Sequence, residues 1–292
     1  MNPFTFQELH LSDKEFLTIS EMVYKHCGIH LDDEKKELVR SRLSKRLRLL
    51  GYESYSDYIE FIRQEPSGGE FSLLIDAIST NFTSFFREKQ HFDFLENQFL
   101  PGLLENKARK SDYRLRAWCA GCSSGEELYT MAITILDTIG DNLRWDVKIL
   151  ATDISTRMLE AAKRGVYEQK KIEPLSAAQK QKYLTVSRSQ GEKLYEVKPE
   201  VKKMTIVRYL NFMEDWPIRT SLDFIFCRNV MIYFDRATQE TLVNRFWEVL
   251  EPGGILFTGH SESLTGIKHS FKYIEPAVYK KSADAKACTK SV

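Results

Sequence analysis

From Asp112 onward, short apolar runs alternate with amphipathic helical stretches, and this constrains the fold more than any other feature of the sequence. Tyr113 to Trp118 reads as a strand. Gly121 and Gly125 follow it, then a helix carrying Leu128, Met131, Ala132, Ile135 and Leu136. Val147 to Ala151 is a second apolar run closing on Asp153, with a helix through Met158, Leu159 and Ala162 behind it. Further runs lie at Met204 to Val207, Leu222 to Phe226 and Ile255 to Thr258, with a helix from Thr238 to Leu250 between the last two. Strands separated by helix-length crossovers predict a parallel, doubly wound α/β sheet. Between 183 and 198, Tyr183 to Val186 and Lys193 to Val197 flank Ser189-Gln190-Gly191, which predicts an inserted β-hairpin.

The first eighty residues follow a different grammar. Ser12 with Glu15 forms a capping box ahead of Phe16, Leu17 and Ile19. Asp32 and Asp33 suit the positive end of a second helix, whose stripe is Val39, Leu43, Leu47 and Leu50, with Gly51 as its stop. Ser54 and Asp57 open a third helix through Tyr58, Phe61 and Ile62. Pro66-Ser67-Gly68-Gly69 breaks it before a fourth with Phe71, Leu74, Ile75 and Ile78. The expected organisation is a helical domain over 1–80, an α/β domain over 81–281 with the insertion, and a disordered tail over 282–292, where Ala, Ser and Lys offer no apolar anchor. The 292 residues accommodate this division.

Charge and cysteine usage narrow the class. Lys plus Arg (42) nearly cancels Asp plus Glu (41), which excludes a globally basic nucleic-acid coat. No run approaches the ~20 apolar residues of a membrane span. Met1-Asn2-Pro3-Phe4 lacks the layout of a signal peptide. Five cysteines (Cys27, Cys119, Cys122, Cys227, Cys288) form no disulfide framework, so a cytoplasmic protein is expected, and a monomer in the absence of a long exposed apolar stripe.

Two segments carry chemistry. Ala120 to Glu127 places glycines between a strand and a helix, where backbone amides can approach a ligand closely. The spacing is not G-x-G-x-x-G, and Glu126 and Glu127 open the helix, which disfavours a pyrophosphate and favours a ligand with a cationic part. A tight turn capped by those two acids is the plainer alternative. Asp153 stands where a nucleotide-binding fold keeps the acid that accepts ribose hydroxyls, and equally where a helix N-cap belongs. Together the two halves suggest a nucleoside pocket, and no G-K-[ST] pair suggests an NTPase.

Five blocks, in order, resemble the chemotaxis receptor methyltransferases, the CheR family. They are Thr80-Asn81-Phe82-Thr83-Ser84-Phe85-Phe86-Arg87-Glu88; Trp118 to Glu127; Ala151-Thr152-Asp153-Ile154-Ser155; Phe226-Cys227-Arg228-Asn229-Val230-Met231-Ile232-Tyr233-Phe234; and Pro252-Gly253-Gly254 to Gly259-His260-Ser261-Glu262. The resemblance implies a Rossmann-like S-adenosylmethionine-dependent domain behind an all-α domain. It implies an enzyme that converts chemoreceptor glutamates to methyl esters, releasing S-adenosylhomocysteine, without a metal. The partner implied is the cytoplasmic domain of methyl-accepting receptors, with the enzyme recruited to receptor arrays and neither inserted in the membrane nor bound to nucleic acid.

By the same resemblance, Asn81, Thr83 and Arg87 border the cofactor's methionine end, Glu127 meets the cofactor, Asp153 binds its ribose, and Asn211 and Phe212 lie at its adenine. Arg228 and Asn229 belong to the cofactor set, and Tyr233 lies where substrate enters. Two departures are Phe82, often acidic in the family, and Leu128, where proline is usual; the second implies at most a shifted helix start. A glutamate nucleophile with a reference pKa near 4.3 is ionised at neutral pH, so no general base is required. Placement and partial desolvation are required instead, with Arg87 and Tyr233 as the expected catalytic pair.

Between Lys35 and Arg48 seven cations face the single carboxylate of Glu37. This is either a solvated face or, as the family implies, a dock for acidic receptor helices through Arg42, Lys45 and Arg46. Cys119-x-x-Cys122 has no second ligand pair at zinc spacing, Cys227 reads as core, His260 as a loop-shaping residue, and His26, His30 and His91 show no ligand spacing. A nucleic-acid methyltransferase is the alternative enzyme, weakened by the lack of an Asn/Asp-Pro-Pro-aromatic motif or a Pro-Cys nucleophile. A non-catalytic S-adenosylmethionine-binding scaffold is the alternative of another class.

Overall fold

Capping chemistry organises the helical part. The computed structural model describes residues 9–65, 68–140, 142, 144–189 and 191–282. The expectations for Met1 to Phe4, Pro66, Ser67, Gln190, Cys288 and the tail beyond Ser282 lie outside them. Two compact units form: residues to Thr80 together with Tyr233–Asp235, and Asn81–Ile232 together with the residues from Arg236 on.

In the first unit, α1 (Asp13–Cys27) starts at the Ser12–Glu15 box and ends at Gly28. The Gly28 φ of 73° is the left-handed backbone that favours glycine. Asp32 caps a 3₁₀ turn that leads into α2 (Lys36–Leu50), which buries Val39, Leu43 and Leu47 and ends at Gly51. The Ser54 hydroxyl accepts the Asp57 amide at the start of α3 (Tyr55–Gln64), and α4 (Gly69–Ile78) follows. Buried Glu70 is held by both the Tyr58 hydroxyl at 2.7 Å and a two-pronged Arg46 guanidinium. Arg42 donates to the carbonyls of Ile78 and Ser79, satisfying the end of α4. Tyr233–Asp235 joins this unit through an Ile29–Phe234 bridge and a 2.7 Å hydrogen bond from the Tyr24 hydroxyl to Asp235. The sequence pattern by itself assigns those three residues to the α/β part.

The second unit begins with α5 (Gln90–Phe94), which continues through a π turn (Leu95–Phe99) into α6 (Leu100–Arg109). It then alternates: β1 (Arg114–Ala120), α7 (Glu126–Ile139), β2 (Asp146–Asp153), α8 (Thr156–Arg164) and β3 (Val166–Glu168). Next come α9 (Ala177–Tyr183), β4 (Leu184–Ser189), β5 (Glu192–Val197), α10 (Pro199–Lys202) and β6 (Thr205–Tyr209). The unit closes with β7 (Leu222–Phe226), α11 (Arg236–Val249), β8 (Leu250–Phe257), β9 (Lys272–Glu275) and β10 (Val278–Lys280).

The main sheet runs β6-β2-β1-β7-β8-β10-β9, so the expected parallel sheet is in fact mixed. The first five strands are parallel, and β10 and β9 add an antiparallel edge. Every residue of β7 is buried, as a parallel strand covered on both faces requires. The insertion is a three-stranded antiparallel sheet, β3-β5-β4, rather than a lone hairpin. Central β1 pairs with β2 on one side and β7 on the other, so the loops leaving its carboxyl end diverge and open a crevice there.

Candidate functional site

The turn after β1 is folded onto the end of β2. Gly121 and Cys122 both donate to the Thr152 carbonyl, at 2.8 and 2.9 Å. The Ser123 amide donates to Asp153 Oδ2 at 2.8 Å, and the Ser155 amide to Oδ1 at 2.9 Å. Asp153 therefore does not cap α8, which Ser155 does. Its carboxylate ties the two loops together. Glycine is required twice in the turn. Gly121 has φ +87°, and a Cβ there would stand 2.4 Å from Val230 Cγ2. Gly125 has φ +95°, and a Cβ there would stand 2.9 Å from the Tyr167 hydroxyl and 3.0 Å from Ala162.

The segment from Asn81 to Glu88 lies against this turn, since the Ser123 hydroxyl donates to the Asn81 carbonyl at 3.2 Å. Phe86 (φ 52°) and Glu88 (φ 54°) bracket Arg87 in left-handed backbone, a strained arrangement that surrounding contacts must enforce. Arg228 enforces it. Its guanidinium, on a side chain with no exposure, donates to the Arg87 carbonyl at 2.6 Å, to Glu88 Oε2 at 2.9 Å and to Glu127 Oε2 at 2.7 Å. The resemblance implied a cofactor contact for Arg228; most of its donors are spent inside the protein, and only Nε is left without a partner. Burial pushes the Glu127 carboxyl up, and the Arg228 charge opposes this. Glu127 also accepts from the Cys119 thiol at 3.4 Å.

Arg87 itself is half-buried, donating to the Phe82 carbonyl at 2.9 Å with its guanidinium 5.4 Å from the centre of the exposed Phe82 ring. Thr83 is half-buried beside it in sequence. The Asn81 Nδ2 group is buried with no hydrogen-bond partner, an orphan donor at the edge of the turn. An unmatched amide donor together with a carboxylate able to take hydroxyls fits a nucleoside carrying an amino-acid tail, as S-adenosylmethionine does.

Asn211 is buried and accepts the Met213 amide at 3.0 Å, next to Leu210, whose amide donates to the Asp153 carbonyl at 3.2 Å. The Phe212 ring packs edge-on to Trp118 and Phe246. Asn229, at φ 57°, donates its amide to Glu262 Oε2 at 2.7 Å, and the amides of Gly259 and Ile232 complete a cage around that carboxylate. Glu262 and Glu88, for which the sequence implies no role, each hold a loop of this site. Tyr233 belongs to the helical unit, where its hydroxyl donates to the Thr80 carbonyl at 3.3 Å.

In that unit, Arg42 and Arg46 are committed to α4 and Glu70, whereas Lys45 is exposed. Cys119, Cys122 and Cys227 are fully buried, and burial pushes their thiols well above the ordinary range. Among the described residues, one group of metal-ligand type comes together, Glu88 with His91 and His260, which sequence spacing did not reveal.

Comparison with known proteins matches both parts of the chain. Residues 81–280 match the family described as CheR methyltransferase, SAM binding domain, and residues 14–79 its all-alpha domain. The chemotaxis protein methyltransferase of Borreliella burgdorferi is 42% identical over 276 residues, 94% of this chain and 96% of that protein. Chemotaxis protein methyltransferase 2 of Pseudomonas aeruginosa is 38% identical over 274 residues, covering 94% and 95%. The chemotaxis protein methyltransferase of Escherichia coli K12 is 37% identical over 280 residues, covering 95% and 94%. With likeness of this extent running through its helical part, its glycine-rich turn and its sheet alike, the chain belongs to the CheR methyltransferase family.

Proposed function

We propose that this protein is an S-adenosylmethionine-dependent protein-glutamate O-methyltransferase that forms glutamyl methyl esters on chemoreceptors. The observation that carries this reading is the Asp153 carboxylate, held at the carboxyl end of β2 against a turn that only glycines can form. When bound, S-adenosylmethionine supplies a sulfonium methyl group open to attack by an oxygen nucleophile. Asp153 takes the ribose hydroxyls, Asn81 Nδ2 and Thr83 meet the methionine end, and Glu127 faces its ammonium. Asn211, the Phe212 backbone and the Arg228–Asn229 segment complete the cofactor set.

The incoming glutamate is already ionised, so the protein's work is alignment. Arg87 orients the carboxylate through N–H groups not used on Phe82, and Tyr233 positions the side chain. A closed two-pronged Arg–carboxylate pair would damp nucleophilicity, so Arg87 holds the carboxylate for placement rather than activation. Arg87→Ala is expected to lower kcat/KM for receptor about 100-fold, and Tyr233→Phe about 10-fold, with binding of S-adenosylhomocysteine retained in the phenylalanine variant. Unchanged turnover in both would remove the assignment. The reaction itself is tested by transferring labelled methyl from S-adenosylmethionine to receptor-rich membranes. Label released as methanol at alkaline pH marks an ester, whereas label resistant to base marks N-methylation and favours a different substrate class.

The helical unit is assigned to receptor docking, and recruitment to receptor arrays follows from that. No helix among the described residues is long and apolar enough to cross a membrane. Because Arg42 and Arg46 support α4 and Glu70, reversing their charges mixes folding with docking. Exposed Lys45 is the clean probe: Lys45→Glu is expected to raise the KM for receptor about 3- to 10-fold at low salt, less at high salt, with cofactor affinity unchanged. A KM equal to the parent's at low salt would place the dock elsewhere.

A further inference from the structure

Glu88, His91 and His260 present ligand atoms that all lie within 4.8 Å of one another. Glu88 and His91 are three residues apart across the turn that enters α5, and the left-handed backbone at Glu88 fixes where its side chain emerges. His91 is 1% exposed, and neither of its ring nitrogens makes a hydrogen bond of full geometry, the Pro276 backbone being the nearest such partner. Its Nδ1 stands 3.6 Å from Glu88 Oε2, beyond hydrogen-bond length. An imidazole buried with neither nitrogen fully matched is costly unless something completes it. His260, on the exposed loop after β8, brings its ring centre to 4.7 Å from that of His91 at 79°, and its backbone amide lies 3.3 Å from Glu88 Oε2.

We propose that Glu88, His91 and His260 form a binding site for a divalent transition-metal ion of the zinc class. Two imidazoles and one carboxylate are a donor set such an ion takes, with a fourth position left for water on the exposed His260 side. Bonds of about 2.0–2.2 Å in tetrahedral geometry set the donors roughly 3.3–3.6 Å apart, so the three ligand atoms, now within 4.8 Å of one another, must draw closer to hold an ion. The Arg228 charge opposes a cation here, and the carboxylates of Glu88 and Glu127 outnumber it. An ion at this site competes with Arg228 for Glu88, and so reaches the backbone of Arg87 that Arg228 also holds.

The test uses the full chain, freed of metal by a chelator and dialysed, titrated calorimetrically with ZnCl₂ and separately with Co²⁺ followed by visible absorption. One saturable site per chain is expected, with the intense visible bands of four-coordinate cobalt. His260→Gln, an exposed change without risk to folding, is expected to weaken Zn²⁺ binding about 100-fold or more, at least the top of the range that losing an outer-shell partner costs. His91→Phe, checked for folding by circular dichroism, should do the same. No uptake of Zn²⁺ by the parent, or affinity in His260→Gln equal to the parent's, would overturn the proposal, the latter placing the ion on other ligands.

Discussion

Arg228→Met is expected to lower the free energy of unfolding by about 3–5 kcal/mol, the usual cost of removing one partner from a buried ionic network. Methionine retains the contacts with the Phe92 and Phe226 rings that the guanidinium lies over, at 5.5 and 5.8 Å, so cavity formation contributes little. What is lost is the bridge from Glu127 to Glu88 and the Arg87 carbonyl. Two carboxylates are then left buried or half-buried with no counter-charge. Two consequences separate this account from a simple packing defect. Glu127, already pushed up by burial, loses the charge that opposed the shift, so its folded-state pKa rises further above its unfolded value. A carboxyl with a raised folded pKa binds more protons when folded, so the variant's deficit should shrink as pH falls from 7 toward 5. The triple variant with Glu88→Gln and Glu127→Gln should in turn recover much of the loss, because no unpaired charge remains. Urea denaturation followed by tryptophan fluorescence measures all three. A deficit under 1 kcal/mol, or one that is flat with pH and not relieved in the triple variant, would show that the network carries no such weight.

That network also marks where the sequence stops being readable. Periodicity and capping rules depend on residues close in the chain, so α1 to α4, β1, β2 and β7 were visible from Ser12, Gly51, Ser54 and the apolar runs. The antiparallel edge was not, because β9 and β10 hold only four and three residues and their turn places Ala277, not glycine or asparagine, at φ 63°. The attachment of Tyr233–Asp235 to the helical unit depends on pairing with Ile29, about two hundred residues away, and carries no local signal. The candidate site divides along the same line. Glycines and Asp153 announce themselves through the strand–turn–helix pattern, whereas the partners of Arg228 lie 101 and 140 residues from it. Resemblance names candidate residues but carries no signal that the side chains of Arg228 and Glu262 are spent on holding loops. His91 illustrates the limit: its chain spacing to Glu88 is short, yet the third member, His260, arrives from the loop after β8, about 170 residues along the chain.

The largest expected effect on ligand binding falls on Asp153. In the proposed role, accepting both ribose hydroxyls, it would make two hydrogen bonds to a charged group, each contributing about 1.5–3 kcal/mol, so Asp153→Ala is expected to weaken S-adenosylhomocysteine by roughly 100- to 10,000-fold. The same carboxylate accepts the Ser123 and Ser155 amides, so part of any loss could come from a relaxed turn. Two measurements separate the contributions. Unfolding free energy reports the stranded amides, and calorimetry well below the unfolding transition reports binding by folded protein. Asp153→Glu keeps the charge but moves it by about one bond length, and should lose affinity nearly as far as alanine, since acceptor geometry rather than charge selects a pair of hydroxyls. Adenosine alone should show the same ratio between parent and variant as the whole product, because the ribose is common to both. Methionine should show no difference. A folded Asp153→Ala protein that binds S-adenosylhomocysteine as tightly as the parent would move the nucleoside away from the end of β2, and the reading of the glycine turn would move with it.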